Sequence, residues 1–185
     1  MKVLNKDHLR APAFSLNNKL ARVLWGVVYT LLFRFSPVPL FRWRAFLLNC
    51  FGSKVDSSAR IYPSAKIWYP ANLFVAAGAT IGPAVNVYNQ GAISIEADVI
   101  VSQGAHLCAS THDYNDPLHP LILAPITVGA NAWVCAEAFV GPGVNVAEGC
   151  VIGARAVLTK NTQAWGVYAG NPAVKRKGRE NFTNA

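Results

Sequence analysis

At 185 residues the chain is one domain's worth of polypeptide, large enough to bury a substantial core. Its net charge of +8 belongs to one end: residues 1–54 carry nine Lys or Arg against one acid, Asp7, and residues 55–185 carry eight of each sign. No helix-turn-helix, RNA-binding or zinc-finger pattern accompanies those cations, so no nucleic-acid partner is expected, and four cysteines without C-x-x-C spacing point to reduced thiols in a cytoplasmic protein.

Met1 to Lys19 is polar and irregular, and no small-residue cleavage site follows the first apolar run, so a signal peptide is not expected. That run, Val23 to Phe33, is uncharged and bounded by Arg22 and Arg34. A spanning helix needs ~20 apolar residues, so the spacing predicts an amphipathic helix instead. It can cap the first turn of the core, contact a membrane surface, or do both. The bulky residues among the cations, Trp25, Phe33, Phe35, Phe41, Trp43 and Phe46, fit either role. Ser36-Pro37-Val38-Pro39 breaks the helix, and Leu40 to Phe51 predicts a second short one stopped at Gly52.

From Val55 onward an aliphatic residue returns with a period of six. Val55, Ile61 and Ile67 form the first trio, Val75, Ile81 and Val87 the second, and Ile95, Val101 and Leu107 the third. Val128, Val134, Val140, Val146, Ile152 and Leu158 continue without a break. Four places after each stands a small or slender residue, such as Ala132, Ala138, Cys150 and Ala156. The first trios are offset by eight residues instead of six, a two-residue corner insertion per coil. Neither a helix nor an ordinary strand has this period. A coil of three short strands per turn does, with one aliphatic side chain per strand pointing into a narrow prism.

The period lapses after Leu107, and residues 113–125 predict a loop extruded from one corner; loops of this length in a compact domain are usually functional or disordered. After Thr162 the repeat ends, leaving residues 164–185 as a basic tail. Three segments result: a basic and apolar helical arm (1–54), a repeat body (55–163) and the tail (164–185).

Several short runs carry a resemblance. Ile152-Gly153-Ala154, Pro142-Gly143-Val144 and Gly170-Asn171-Pro172-Ala173 are similar to the hexapeptide-repeat acyltransferases. Trp68-Tyr69-Pro70-Ala71-Asn72-Leu73, Ser102-Gln103-Gly104, Leu107-Cys108, Thr111-His112-Asp113-Tyr114 and Ala132-Trp133 most resemble the colanic acid and exopolysaccharide O-acetyltransferases within them. The similarity runs from about Leu20 to Arg176. It implies a mainly β fold: a left-handed parallel β-helix of about five triangular coils, with the helical arm, one extruded loop and a C-terminal tail.

The resemblance also implies a chemistry. Transfer of acetyl from a thioester to a sugar hydroxyl needs a general base, and histidine suits that work near neutral pH. His112, at the corner where the loop leaves, is the candidate base, acting directly and without an acyl-enzyme. In this family an asparagine or aspartate about one and a half coils earlier assists the histidine; Asn86 and Asn89 are available, and Asn86 is preferred because it follows a small repeat residue, as His112 does. His106, His112 and His119 invite a metal reading, but related metal enzymes resemble a His-x4-His pattern, which spacings of six and seven do not match, so no metal is expected.

Acetyl-CoA is the implied acyl donor. Ala136, Gly141, Gly153 and Ala154 would let its pantetheine arm lie along the prism edge. Thr159 and Lys160 match a pair that contacts the nucleotide, and Trp133 matches a tryptophan of the family, although a packed corner aromatic fits it equally. Gly170 and Pro172 turn the chain back so that a tail cation meets the 3′-phosphate. The family places Lys or Arg where this chain has Val174, so Lys175, Arg176 or Lys177 must substitute.

The function implied is acetyl-CoA-dependent O-acetylation of a sugar in exopolysaccharide biosynthesis, by a homotrimer with a free or lipid-linked saccharide as acceptor. Such a protein would be cytoplasmic, with peripheral contact at the inner face of the cytoplasmic membrane. Acetylation of a soluble sugar or amino sugar is the near alternative. A non-catalytic trimeric scaffold is the distant one, and the intact Thr-His-Asp-Tyr run argues against it.

Overall fold

Each hexad folds into a strand of two or three residues whose aliphatic member points inward. The fold is a computed structural model describing residues 2–3 and 14–183. The strands stack into three parallel sheets, the faces of a triangular solenoid. On the first face Val55, Val75, Ile95, Val128 and Val146 lie in register. Ile61, Ile81, Val101, Val134 and Ile152 form the second column. Ile67, Val87, Leu107, Val140 and Leu158 form the third. All fifteen are at most 5% exposed, so the periodic residues are the core. Burying each contributes roughly 1.5–3 kcal/mol.

Register partners stand 20 residues apart in the first three coils, 33 apart where the insertion lies (Ile95 to Val128) and 18 apart at the end. The two-residue insertions do more than widen a corner. They lengthen the first-face strands Leu73–Val75 and Ile93–Ile95, and Ile126–Val128 matches them. Leu73, Ile93 and Ile126 thereby add a second inward aliphatic residue per strand.

The apolar run after Arg22 is helical, but the helix begins earlier than its lack of charge suggests. Helix α1 spans Leu16–Val28 and continues as a π turn, Tyr29–Phe33. Ser15 caps it, its Oγ accepting from the Asn18 N–H at 3.2 Å, so the segment read as irregular up to Lys19 is helical from Leu16. Lys2–Val3 also departs from that reading, pairing antiparallel with Ile122–Leu123. The rest of the first thirteen residues lies outside the described residues. Trp25 is buried, donates its indole N–H to the Ile67 carbonyl at 2.8 Å and packs edge-on against Phe33 and Phe51. The helix thus covers the first coil.

Helix α2, Phe41–Cys50, closes the same end. The Asn49 side chain accepts from the Val55 N–H and donates to the Val55 carbonyl, both at 2.8 Å. It satisfies the first strand as a neighbouring strand would, which blunts an otherwise open sheet edge. Arg44 is fully buried, and its guanidinium donates to the Ile61 carbonyl (2.5 Å), Ser36 Oγ (2.8 Å), the Pro37 carbonyl (2.9 Å) and the Val38 carbonyl (2.5 Å). One of the nine cations of the arm is therefore a structural clasp.

The extruded segment is a β-hairpin. Ser110–His112 pairs antiparallel with Leu121–Leu123, and the tip is set by Asp113 and Asp116, which accept from the N–H groups of Asn115 (3.1 Å) and Leu118 (2.9 Å). The sheet also outlasts the hexads: Gly166–Ala169 adds a parallel strand to the second face, and Val174–Gly178 folds back on it antiparallel. Arg179 fastens this end, donating to the Asn131 and Gly149 carbonyls (3.0 Å each) between the rings of Trp165 and Phe182. Among the described residues no helix is long and apolar enough to cross a membrane.

Candidate functional site

The hairpin leaves the prism at the corner between the third and first faces, after Leu107, and carries His112 into solvent. The departure is tightly built. A Cβ on Gly91 would lie 2.5 Å from the Ala109 carbonyl oxygen, so only glycine lets the hairpin base settle on the coil below.

The His112 ring has one nitrogen engaged. Its Nδ1 lies 2.6 Å from the His119 carbonyl oxygen. A carbonyl only accepts, so Nδ1 carries the proton and Nε2 is the basic nitrogen, open to solvent. His119 supplies this contact by standing at φ +44°, which the short hairpin requires. Such an arrangement suits a general base, with one ring nitrogen held by protein and the other free to take a proton. His119 thus acts through its backbone, which no side-chain pattern could signal.

The two asparagines divide. Asn89 is fully buried and engaged at both ends of its amide, donating to the Tyr69 carbonyl at 2.7 Å and accepting from the Trp68 and Tyr69 N–H groups at 3.1 Å each. Asn86 stands one coil below His106 on the third face, with its Nδ2 3.4 Å from His106 Nε2. In the single chain Asn86 therefore engages His106, not His112. His106 lies on the prism face between Tyr88 and Phe139, and His112 on the hairpin. Among the described residues no group of His, Cys, Asp and Glu converges as metal ligands would.

Burial holds the His106 imidazole below its ordinary 6.5. A group whose folded pKa is depressed contributes stability above the unfolded value that is lost as pH falls through the folded one. Stability is accordingly expected to decline on acidification below pH 6.5, and His106→Phe should flatten that decline in thermal melts. An unchanged pH profile in the variant would refute the assignment.

The small residues expected to line the pantetheine arm fall on two prism edges, not one. A corner recurs every 18 residues in the last coils, so Ala136 stacks beneath Ala154, and Gly141 beneath Thr159. The five-residue step from Ala136 to Gly141 moves to the next corner. Gly153, Gly170 and Pro172 join the first edge: a Cβ on Gly153 would meet Ala169 at 3.2 Å, and the Val157 N–H donates to the Gly170 carbonyl at 2.9 Å. Gly170 adopts φ +101°, and a Cβ there would lie 3.2 Å from Arg176 Nη2, so Arg176 belongs to this edge too. Thr159 and Lys160 share the edge of the hairpin, which contacts it through the Gly143 N–H to Ala124 carbonyl bond at 3.1 Å. Trp133 is exposed on the second face, donating its indole N–H to Ser102 Oγ at 2.8 Å. Lys175 Nζ donates to Gln163 Oε1 at 2.9 Å.

The stacked triangular coils are those of a hexapeptide-repeat solenoid. No family model matches the chain. Over 151 residues, 82% of this chain and 83% of the other, it is 41% identical to the colanic acid biosynthesis acetyltransferase WcaF of Escherichia coli K12. The chain belongs to the hexapeptide-repeat acetyltransferases of that kind. The fold recurs in solved acetyltransferase structures. A hexapeptide-repeat acetyltransferase of Vibrio cholerae complexed with acetyl coenzyme A has a TM-score of 0.80 at 17% identity, over 93% of this chain and 94% of that one. A galactoside acetyltransferase in complex with coenzyme A has a TM-score of 0.79 at 20% identity, over 90% and 84%.

Proposed function

We propose that this acetyltransferase moves acetyl from acetyl-CoA to a sugar hydroxyl of an exopolysaccharide building block, free or lipid-linked, in one ternary complex. The observation that carries the reading is the His112 ring, with Nδ1 held by the His119 carbonyl and Nε2 free. His112 Nε2 takes the hydroxyl proton as the sugar oxygen attacks the thioester carbonyl. Backbone N–H groups steady the oxyanion, the C–S bond breaks, and the proton passes from the imidazolium to the departing thiolate. Asn86, whose partner within the single chain is His106, is assigned no step in this scheme.

Two half-sites on different edges suit an assembly of parallel prisms. In a homotrimer the hairpin edge of one copy, with His112, Gly141, Thr159 and Lys160, would face the Ala136–Ala154 edge of the next. Pantetheine would lie in the groove between them, with Arg176 supplying charge to the nucleotide phosphate. Colanic acid is the product that the name of the WcaF relative supports.

Calorimetric titration of acetyl-CoA into the wild-type protein and into His112→Ala tests the donor site without a guessed acceptor. Binding by both is expected. Well-folded protein that binds in neither case would remove the acetyl-CoA reading.

A further inference from the structure

The arm carries a surface that the transfer reaction does not use. Trp25 and Phe33 face the prism, but Leu16, Leu20, Val23, Leu24, Val27 and Leu31 point away from it, each between 51% and 69% exposed. Their spacing of three and four residues makes one continuous stripe along α1. Trp43 extends it: its indole N–H donates to the Leu32 carbonyl at 3.1 Å, and its ring stacks on Phe46, itself 56% exposed. A helix on a water-facing surface shows the opposite pattern, and an apolar patch of this extent marks a contact surface.

The charges around the stripe have one sign. Lys19, Arg22, Arg34 and Arg42 are its charged neighbours, and no Asp or Glu occurs between residues 14 and 55. Beside α1 lies a cleft of about 380 Å³, to which Lys19, Arg22 and Lys66 bring three cations and Trp68 and Tyr29 aromatic walls. No acid is among its lining residues. The Arg22 guanidinium is set 4.0 Å over the Trp68 ring. Lys19 and Arg22 stand on the flank of α1 adjoining Val23, so the cleft opens along the rim of the stripe.

We propose that α1 lies in the plane of an anionic phospholipid surface. The aliphatic stripe enters the acyl boundary, and the cleft of Lys19, Arg22 and Lys66 takes a lipid phosphate at headgroup depth. An aliphatic face with cations at its edge is the composition of an in-plane helix. Each cation near an anionic leaflet strengthens binding roughly fivefold. Docking needs neither His112 nor a thioester, so it stands or falls apart from the transfer reaction.

The test is co-sedimentation of the full chain with vesicles of phosphatidylcholine alone and of phosphatidylcholine with an equal part of phosphatidylglycerol. Wild-type protein is expected to sediment with the mixed vesicles, weakly with the neutral ones, and less as salt is raised. Lys19→Gln with Lys66→Gln should weaken the mixed-vesicle association by about twentyfold or more and leave the neutral association in place. Leu24→Asp with Val27→Asp should abolish both; these side chains are exposed, and thermal melting verifies the fold. Folded wild-type protein that stays in the supernatant overturns the proposal. So does a lysine double variant that binds like wild type. Loss of subunit assembly in the aspartate variant, with no vesicle binding by wild type, would assign the stripe to a second copy of the chain instead.

Discussion

His112→Ala is expected to lower acetyl transfer by about a hundred- to ten-thousandfold with acetyl-CoA affinity retained. The magnitude follows from what the ring contributes. A sugar hydroxyl is a poor nucleophile at neutral pH until its proton has somewhere to go, and Nε2 is the basic nitrogen that the hairpin presents. The residual rate would come from holding the two substrates together, which does not require the imidazole. The His119 carbonyl sharpens the test, because a substitution at His119 keeps the carbonyl. His119→Asn preserves a residue that tolerates the positive φ and should retain most of the activity. A loss in His119→Asn as deep as in His112→Ala would make His119 the base and overturn the assignment.

Arg44→Ala is expected to lower stability by about 3 kcal/mol. It empties a buried site and strands four acceptors: the carbonyls of Ile61, Pro37 and Val38 and the Ser36 hydroxyl. Burial already pulls the Arg44 pKa below that of a free guanidinium. Among the described residues the ion pair formed is Arg155–Glu137, so neutral groups offset the buried charge of Arg44: the four oxygens and the Phe41 ring, whose centre is 5.0 Å from the guanidinium carbon. In a chain of this size the loss corresponds to a fall in Tm of roughly 6–12 °C. Arg44→Lys should recover little, since one ammonium cannot reach four diverging acceptors. The first lesion should be release of the arm from the first coil, seen as early cleavage between α1 and α2 in limited proteolysis. A Tm within about 2 °C of wild type would refute the clasp.

The repeat body was legible because its rule is simple: every strand sends an aliphatic side chain inward, and within a coil that residue returns after six positions. Fifteen positions could be named from spacing alone, and all are buried. Other features follow no period. The hairpin pairs Thr111 with Ile122 across a turn whose length obeys no hexad. The start of α1 rests on a single cap, Ser15, ahead of residues that look polar and loose. Arg44 is one cation among nine in the arm, and nothing in its neighbours distinguishes a buried clasp from a solvated side chain. His119 and Asn89 act through contacts fixed only after the chain has folded. The division of the small residues between two edges was within reach, because steps of 18 return to one corner and a step of five does not.

The register steps make the chain a counting device. Each hexad advances it by one third of a revolution about the prism axis, so angular position is encoded in residue number. The hairpin interrupts the count without disturbing it, because Leu107 and Val140 still stack in register on either side. Lengthening or trimming the tip therefore leaves the azimuth of everything downstream untouched. Removal of six residues between Val128 and Leu158 would instead swing the Gly170 turn and Arg176 to a different side of the axis from the one they share with Ala136. Removal of 18 would shorten the molecule by a coil and restore the alignment. Whole turns are thus the unit in which this solenoid can gain or lose sequence between histidine and tail while keeping the two in phase.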